Sequence, residues 1–125
     1  MNLRMARALS QNADTPEGWT TSVHCSYYAV FQHMKYLLAE KADSRIPYEL
    51  QNSLGESSHN YILEEIKNRI KNVNTARKIR ERIVNLRQHR IEADYRSKVF
   101  EQDEALECKQ EADAIIENLS KLISA

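Results

Sequence analysis

The sequence is poor in the residues that make tight turns. Its 125 residues include only two glycines, two prolines and two cysteines. Such a composition leaves little material for the many turns of an all-β protein, whereas the good helix formers Ala, Leu, Glu, Lys, Arg and Gln are abundant. We therefore predict an all-α protein, with residues 1–125 forming one domain around a single core.

Long apolar runs are also missing. No stretch approaches the roughly 20 apolar residues of a membrane span, and the N-terminus lacks the apolar segment of a signal peptide. Cys25 and Cys108 lie far apart in helical patterns, which predicts free thiols in a reducing compartment. We expect a cytoplasmic protein that does not associate with a membrane.

The usual spacings of metal and catalytic motifs are absent as well. The chain has four histidines: His24, His33, His59 and His89. None of them belongs to an HxxxH, HExxH or ExxH spacing of a helical metal site. A Gly-rich phosphate loop and a Gly-flanked nucleophilic serine are missing too. We expect no metal and no cofactor, and acyl transfer, kinase and dinucleotide chemistry are disfavoured.

Apolar residues recur at steps of three and four along four long stretches, which predicts four long helices. Their predicted ranges are 16–41, 58–72, 75–96 and 101–123. Pro16 suits a first helical position, and Thr75 is the expected N-cap of the third of these ranges. A weaker pattern predicts a short helix over 2–11, and another short helix could form over 47–53. The expected architecture is an up-and-down bundle of four long helices plus a short N-terminal one.

The apolar faces of these helices predict the core. The residues expected to be buried are Trp19, Val23, Tyr27, Val30, Ile83, Leu86, Leu119 and Leu122. The aromatic residues of the first long helix could alternatively form a stacking surface for nucleobases.

The zero net charge is divided unevenly along the chain. From Lys67 to Lys98 there are eleven Lys or Arg against three acids, a net of +8, and from Val99 to Ala125 two against seven, a net of −5. The two C-terminal helices should therefore attract each other, and the basic one could also attract a polyanion. Two solvated faces that neutralise each other are the alternative interpretation.

One arginine interrupts an apolar stripe. The stripe consists of Ala76, Ile79, Ile83, Leu86 and Ala93, and its missing position is Arg90. A guanidinium cannot lose its proton, so Arg90 facing a core needs a partner. Asp94 lies four residues on, on the same helix face, and the Tyr95 hydroxyl is the other expected partner. This polar stretch is either a functional site or a buried network that joins helices or subunits.

The runs SYYAVFQHMKYLL, SHN and LRQHRIEADY occur in this order, and an Ala- and Glu-rich helix follows. With these motifs, residues 17–122 resemble the HEPN family of small helical-bundle domains, in particular its ADY-motif branch. The resemblance implies a homodimer in which the helices predicted over 75–96, the fourth in each chain when the short N-terminal helix is counted, lie close together. It also implies nucleotide or RNA binding in toxin–antitoxin or phage-defence systems, in some cases with a minimal nucleotidyltransferase as partner protein.

Many members of this family are metal-independent endoribonucleases with an Arg-(x4–6)-His motif on the fourth helix. Aligned on ADY, the family arginine falls on Arg90, and Tyr95 takes the place of the histidine. Tyrosine, with a pKa of about 10, is a poor proton carrier near neutral pH. Arg82 and His89 do have a family-type spacing, with six residues between them.

These observations define the candidate site residues. The candidate catalytic residues are Arg82, His89, Arg90 and Tyr95. The candidate ligand- or RNA-binding residues are Arg87, Arg90, Asp94 and Tyr95.

Three functions fit the sequence. The first is a HEPN-type nucleotide- or RNA-binding and protein-interaction module. The second is a metal-independent endoribonuclease toxin that uses Arg82, Arg87, Arg90 and His89. The third is a non-catalytic structural subunit whose basic helix docks an acidic partner. Whether the chain is an enzyme stays open at this point.

Overall fold

The structure, a computed structural model, describes residues 16–52, 58–95 and 100–123. All regular secondary structure in these ranges is helical, which confirms the predicted all-α bundle. The five helices are α1 (Pro16–Tyr36), α2 (Tyr48–Asn52), α3 (Ser58–Asn68), α4 (Val73–Asp94) and α5 (Gln102–Leu122). All except α2 are long, and the predicted helix over 2–11 lies outside the described residues. None of the described helices is long and apolar enough to span a membrane.

The first long helix changes type before it ends. The α-helix α1 begins at Pro16 and is followed by a π-helical turn, Leu37–Lys41. In this turn the amide of Ala42 donates to the carbonyl oxygen of Leu37 at 2.8 Å. The predicted end at Lys41 is therefore right, although the helix type is not α throughout. Both Leu37 and Leu38 are buried.

The helices enclose one core, in which α1 packs against both α4 and α5. Six of the eight residues predicted to be buried are buried. The prediction was wrong for Leu122, which is 38% exposed, whereas its neighbour Ile123 is buried at the end of α5. Trp19 is only partly buried, although it packs against the core. Helical periodicity thus located the core and failed only near helix ends.

The turn between α3 and α4 differs from the prediction. The helix α3 ends at Asn68, four residues earlier than expected, and α4 begins at Val73. The N-cap of α4 is Asn72, whose side-chain oxygen accepts a hydrogen bond from the Thr75 amide at 3.0 Å. The prediction of Thr75 as the cap was therefore wrong, because Thr75 supplies the backbone donor and not the side-chain acceptor.

Replacing Asn72 by alanine should lower the free energy of unfolding by about 1 kcal/mol, the usual loss for an N-cap side chain. Thr75→Ala is the matched control, since it removes a side chain from the same turn and leaves the cap intact. Urea unfolding of both variants measures the difference. Equal losses would contradict the assignment of the cap to Asn72.

The oppositely charged helices α4 and α5 pack against each other. Arg82 of α4 forms an ion pair with Glu111 of α5, with Nε 3.2 Å from Oε1. A capping box of Glu101 and Glu104 starts α5. The ion pair between Arg82 and Glu111 is therefore a direct contact of the kind that the opposite charges of the two helices predict.

Candidate functional site

Polar and aromatic side chains from three helices meet near the C-terminal end of α4. The helix contributes Arg87, Arg90 and Asp94, which follow each other at steps of three and four and so share one face. The opposing side chains come from α1 and from the first turn of α3. We call the whole group the polar cluster, and it consists of His24, Tyr27, Tyr28, His59, Asn60, Arg87, Arg90 and Asp94.

Arg90 is held by partners from two helices. Its Nε lies 2.9 Å from Oδ2 of Asp94, the partner expected from the helical spacing. Its Nη2 donates a hydrogen bond of 3.1 Å to the hydroxyl of Tyr28, and its guanidinium carbon lies 5.3 Å from the centroid of that ring. Only 20% of the Arg90 side chain is exposed. These contacts compensate the charge of a largely buried guanidinium and explain how the apolar stripe accepts an arginine.

Asp94 also connects α4 to a histidine of α1. Its Oδ1 lies 2.7 Å from Nδ1 of His24, and the His24 ring stacks on Tyr28 with centroids 4.6 Å apart. Within residues 16–52, 58–95 and 100–123, Nε2 of His24 has no hydrogen-bond partner. The carboxylate therefore orients an imidazole whose second nitrogen is available for another group.

His59 of α3 lies in a more enclosed environment. Its Nδ1 is 2.7 Å from the Tyr27 hydroxyl, and its ring stacks on Phe31 with centroids 4.1 Å apart. Burial first, and then the charges of Arg87, Arg90 and Lys35, lower the pKa of His59 to about 4. The ring is therefore neutral at pH 7, and part of its shift reflects a positive potential in the polar cluster.

The pKa of Tyr27 is shifted in the opposite direction to that of His59. Burial raises the pKa of its hydroxyl to about 12, although the charges of Arg87 and Arg90 oppose that increase. Tyr27 therefore stays protonated at neutral pH and can donate its hydrogen bond to the neutral His59. This uncharged pair forms the inner wall of the polar cluster.

Among the described residues, no carboxylate neutralises Arg87, which is a cation of the polar cluster. Its Nη1 donates a 2.9 Å hydrogen bond to the side-chain oxygen of Asn60. In the part of the chain that the structure describes, its Nε is buried without a partner, and the side chain forms no ion pair. Arg90 is neutralised by Asp94, so Arg87 is the residue best placed to bind an anion from solution.

Arg82 and His89 lie on another face of α4. Both line a cavity of about 270 Å³ between α4 and α5. Glu104, Glu107 and Glu111 line the same cavity, and the hydrogen bond to Glu111 raises the pKa of Arg82. Three carboxylates around one engaged arginine make a poor environment for a phosphate. Although Arg82 and His89 share a face of α4, the carboxylates around them disfavour the phosphate binding that RNA cleavage requires.

Tyr95 lies outside the polar cluster. It is the C-terminal cap of α4, is 79% exposed, and donates its backbone amide to the carbonyl oxygen of Ile91 at 3.0 Å. The hydroxyl beside Arg90 belongs to Tyr28 instead. Among the candidate residues, the structure thus brings together Arg87, Arg90 and Asp94, and it separates them from Tyr95 and from the face with Arg82 and His89.

Sequence reasoning missed the partners that come from α1 and α3. The missed residues are His24, Tyr28, His59 and Asn60. Tyr28, His59 and Asn60 lie within the runs SYYAVFQHMKYLL and SHN, and His24 lies two residues before the first of them, so position in or near those motifs was the available signal. Among the described residues, no three His, Cys, Asp or Glu side chains form a group that could hold a metal ion.

The chain was compared with models of protein families. The model of the HEPN domain family matches residues 2–122, nearly the whole chain. No curated protein and no solved structure shows significant similarity to the chain. The family match leaves the assignment to the ADY-motif branch untested.

Proposed function

The chain belongs to the HEPN family, and from this membership we propose that it is a nucleotide- or RNA-binding and protein-interaction module. At family level, the match supports a nucleotide- or RNA-related role of a toxin-like or defence type. The finer proposal places the protein in a toxin–antitoxin or phage-defence system, with a minimal nucleotidyltransferase as its partner protein. In this proposal the polar cluster holds a phosphate of the ligand.

The observation that carries this proposal is the uncompensated charge of Arg87. Its neighbour Asn60 offers a neutral acceptor and leaves the positive charge in place. Burial is the largest cause of the lowered pKa of His59, and the charges of Arg87 and Arg90 lower it further, in keeping with a positive potential in the polar cluster. A phosphate beside Arg87 would relieve that excess and gain charge-assisted hydrogen bonds.

Replacing Arg87 by alanine should weaken RNA binding about tenfold at low salt, because one phosphate contact is lost. The dependence of log K on log salt should become less steep by about one. Fluorescence anisotropy with a labelled single-stranded RNA measures both. Arg77→Ala is the matched control, since Arg77 is an exposed cation of α4 outside the polar cluster.

The imidazole of His59 provides a second measurement that localises the ligand. A phosphate bound beside Arg87 should raise the pKa of His59 from its value of about 4, because negative charge favours the protonated ring. An NMR titration of the histidine ring protons, with and without AMP, reads this change. Equal loss of affinity in the Arg77 and Arg87 variants, with an unchanged His59 pKa, would overturn the proposed site.

A homodimer is part of the proposal, since HEPN domains commonly dimerise. The cations of α4 would then form a shared basic cleft, and Asp94, Glu92 or a bound anion would offset their repulsion. Light scattering at micromolar protein and moderate salt tests this assembly. A monomer mass under those conditions would contradict it.

A metal-independent endoribonuclease is the second candidate function. The observation that favours it is His24, whose imidazole is bound to Asp94, the ion-pair partner of Arg90, whereas Tyr95 takes the place of the family histidine. An imidazole can transfer a proton, and an arginine stabilises the charge that develops on phosphorus. Incubation of the purified protein with RNA in EDTA separates this function from simple binding, and His24→Asn should abolish any cleavage.

The third alternative is a structural subunit that binds an acidic protein. Such a subunit would bind RNA weakly in the anisotropy experiment, with a shallow salt dependence that Arg87→Ala leaves unchanged.

A further inference from the structure

A cavity lined by basic residues lies at the opposite end of the bundle from the polar cluster. It has a volume of about 500 Å³ and is formed where the chain leaves α1, passes from α3 to α4, and ends α5. We call it the end pocket, and its polar lining includes Lys41, Asp43, Ser44, Arg69, Lys71 and Lys121. Lys41 follows His24 by about five helical turns, so the two sites are roughly 25 Å apart.

Arg69 fixes one wall of the end pocket. Its Nε and Nη2 donate to the carbonyl oxygen of Ser44 at 3.0 and 2.6 Å. Its Nη1 donates to a carboxylate oxygen of Glu65 at 2.6 Å. These contacts join the loop after α1 to the end of α3, and only 16% of the Arg69 side chain is exposed. The wall is therefore formed before any ligand arrives, which reduces the ordering cost of binding.

Two lysines of the end pocket form no ion pair with any described residue. Lys41 and Lys71 are exposed, and neither has an ion-pair partner within the described ranges. Lys121 differs, because its Nζ lies 3.2 Å from Glu117. Among the described lining residues, Arg69 is paired with Glu65 and Lys121 with Glu117, so Lys41 and Lys71 are opposed by one carboxylate, Asp43. The excess of positive charge favours an anionic ligand.

The remaining lining suits an organic ligand better than a bare ion. Leu122, which is 38% exposed, provides apolar surface in the same cavity, above the buried residues Ala42 and Ile123. Asn72, the N-cap of α4, also lines it, and the positive end of a helix dipole favours negative charge nearby. A volume of about 500 Å³ falls in the range of small-molecule sites, which is roughly 300–1,000 Å³.

We propose that the end pocket binds a small organic phosphate of mononucleotide size. Lys41 and Lys71 contact its phosphate group, and the apolar surface at the end of α5 receives its uncharged part. This site does not depend on the polar cluster. A phosphate ligand could therefore occupy either site alone.

The experiment measures AMP binding to the full chain by calorimetry and locates it by backbone NMR shifts. AMP should shift the amides of residues 41–44 and 69–72 in the wild type and in Arg87→Ala. The double variant Lys41→Gln with Lys71→Gln should lose these shifts and at least tenfold in affinity. The charge-matched control is Arg77→Gln with Lys109→Gln, which changes two cations outside the pocket and should bind normally.

Three results would overturn the end pocket as a site. The first is equal loss of affinity in the pocket variant and the charge-matched control, which would indicate binding by net charge alone. The second is AMP shifts confined to residues 24–28 and 59–60, which would assign all binding to the polar cluster. The third is equal affinity for inorganic phosphate and AMP, which would remove the role of the apolar surface. Lys41 and Lys71 are exposed, so the variants should fold, and circular dichroism checks this.

Discussion

Replacing Arg90 by alanine should lower the free energy of unfolding by about 2–3 kcal/mol. The variant loses the ion pair with Asp94, the hydrogen bond to Tyr28 and the stacking of the guanidinium on that ring. Breaking a fully buried pair costs roughly 3–5 kcal/mol. The loss should be smaller here because 29% of the Asp94 side chain is exposed and His24 remains as its partner.

A double-mutant cycle separates the ion pair from the packing of the Arg90 side chain. Arg90→Met keeps most of the bulk and Asp94→Leu removes the carboxylate, so the double variant should lose clearly less than the sum of the single losses. Urea unfolding at pH 7 gives all four values. Strict additivity would show that the ion pair contributes nothing. Unchanged stability of Arg90→Ala with lost RNA binding would instead assign Arg90 to the ligand.

The free energy of unfolding should decrease at acidic pH because of the lowered pKa of His59. Its pKa is about 4 in the folded chain, against 6.5 in the unfolded chain. Between these values the unfolded chain takes up a proton that the folded chain does not, so the free energy of unfolding falls as the pH falls. The full effect is present above pH 6.5 and is lost by about pH 4. We expect a loss of about 2–3 kcal/mol over this window, reduced from the ideal value because the ring is only partly buried.

His59→Gln is the variant that tests this dependence, because glutamine cannot take up a proton in this range. The variant should be less stable than the wild type at pH 7, where the Tyr27 contact is altered. It should then lose about 2–3 kcal/mol less than the wild type between pH 6.5 and pH 4. Burial also lowers the pKa of His33, so the difference between the two proteins is the quantity to measure. Parallel pH profiles would contradict the assignment to His59.

Several local features were predictable from the sequence because they depend on neighbours a few residues apart. The steps of three and four fixed four long helices and most of the core, including Ile83, Leu86 and Leu119. The same periodicity exposed Arg90 as an exception, and the spacing of four identified Asp94 as its partner. The order of motifs along the chain carried the family resemblance, which the family match confirms.

Boundaries and caps were less predictable, because neighbouring residues compete for the same role. Asn72 and Thr75 are both good N-cap residues three positions apart, and only the backbone geometry selects Asn72. The π-helical turn at Leu37–Lys41 was not predictable either, since no residue type in it requires a π-helix. Packing against the rest of the core decides such details after the helices are assembled.

The partners of the polar cluster were decided by tertiary structure alone. Asp94 and His24 are 70 residues apart in the chain, and Arg90 and Tyr28 are 62 apart, so no helical spacing relates them. The assembled helices also put Arg82 and His89 in a cavity with three carboxylates, and they place no carboxylate of the described residues in an ion pair with Arg87. A sequence fixes which side chains share a helix face, because the helical repeat is local. It does not fix which face of another helix those side chains meet, because that depends on how the whole core packs.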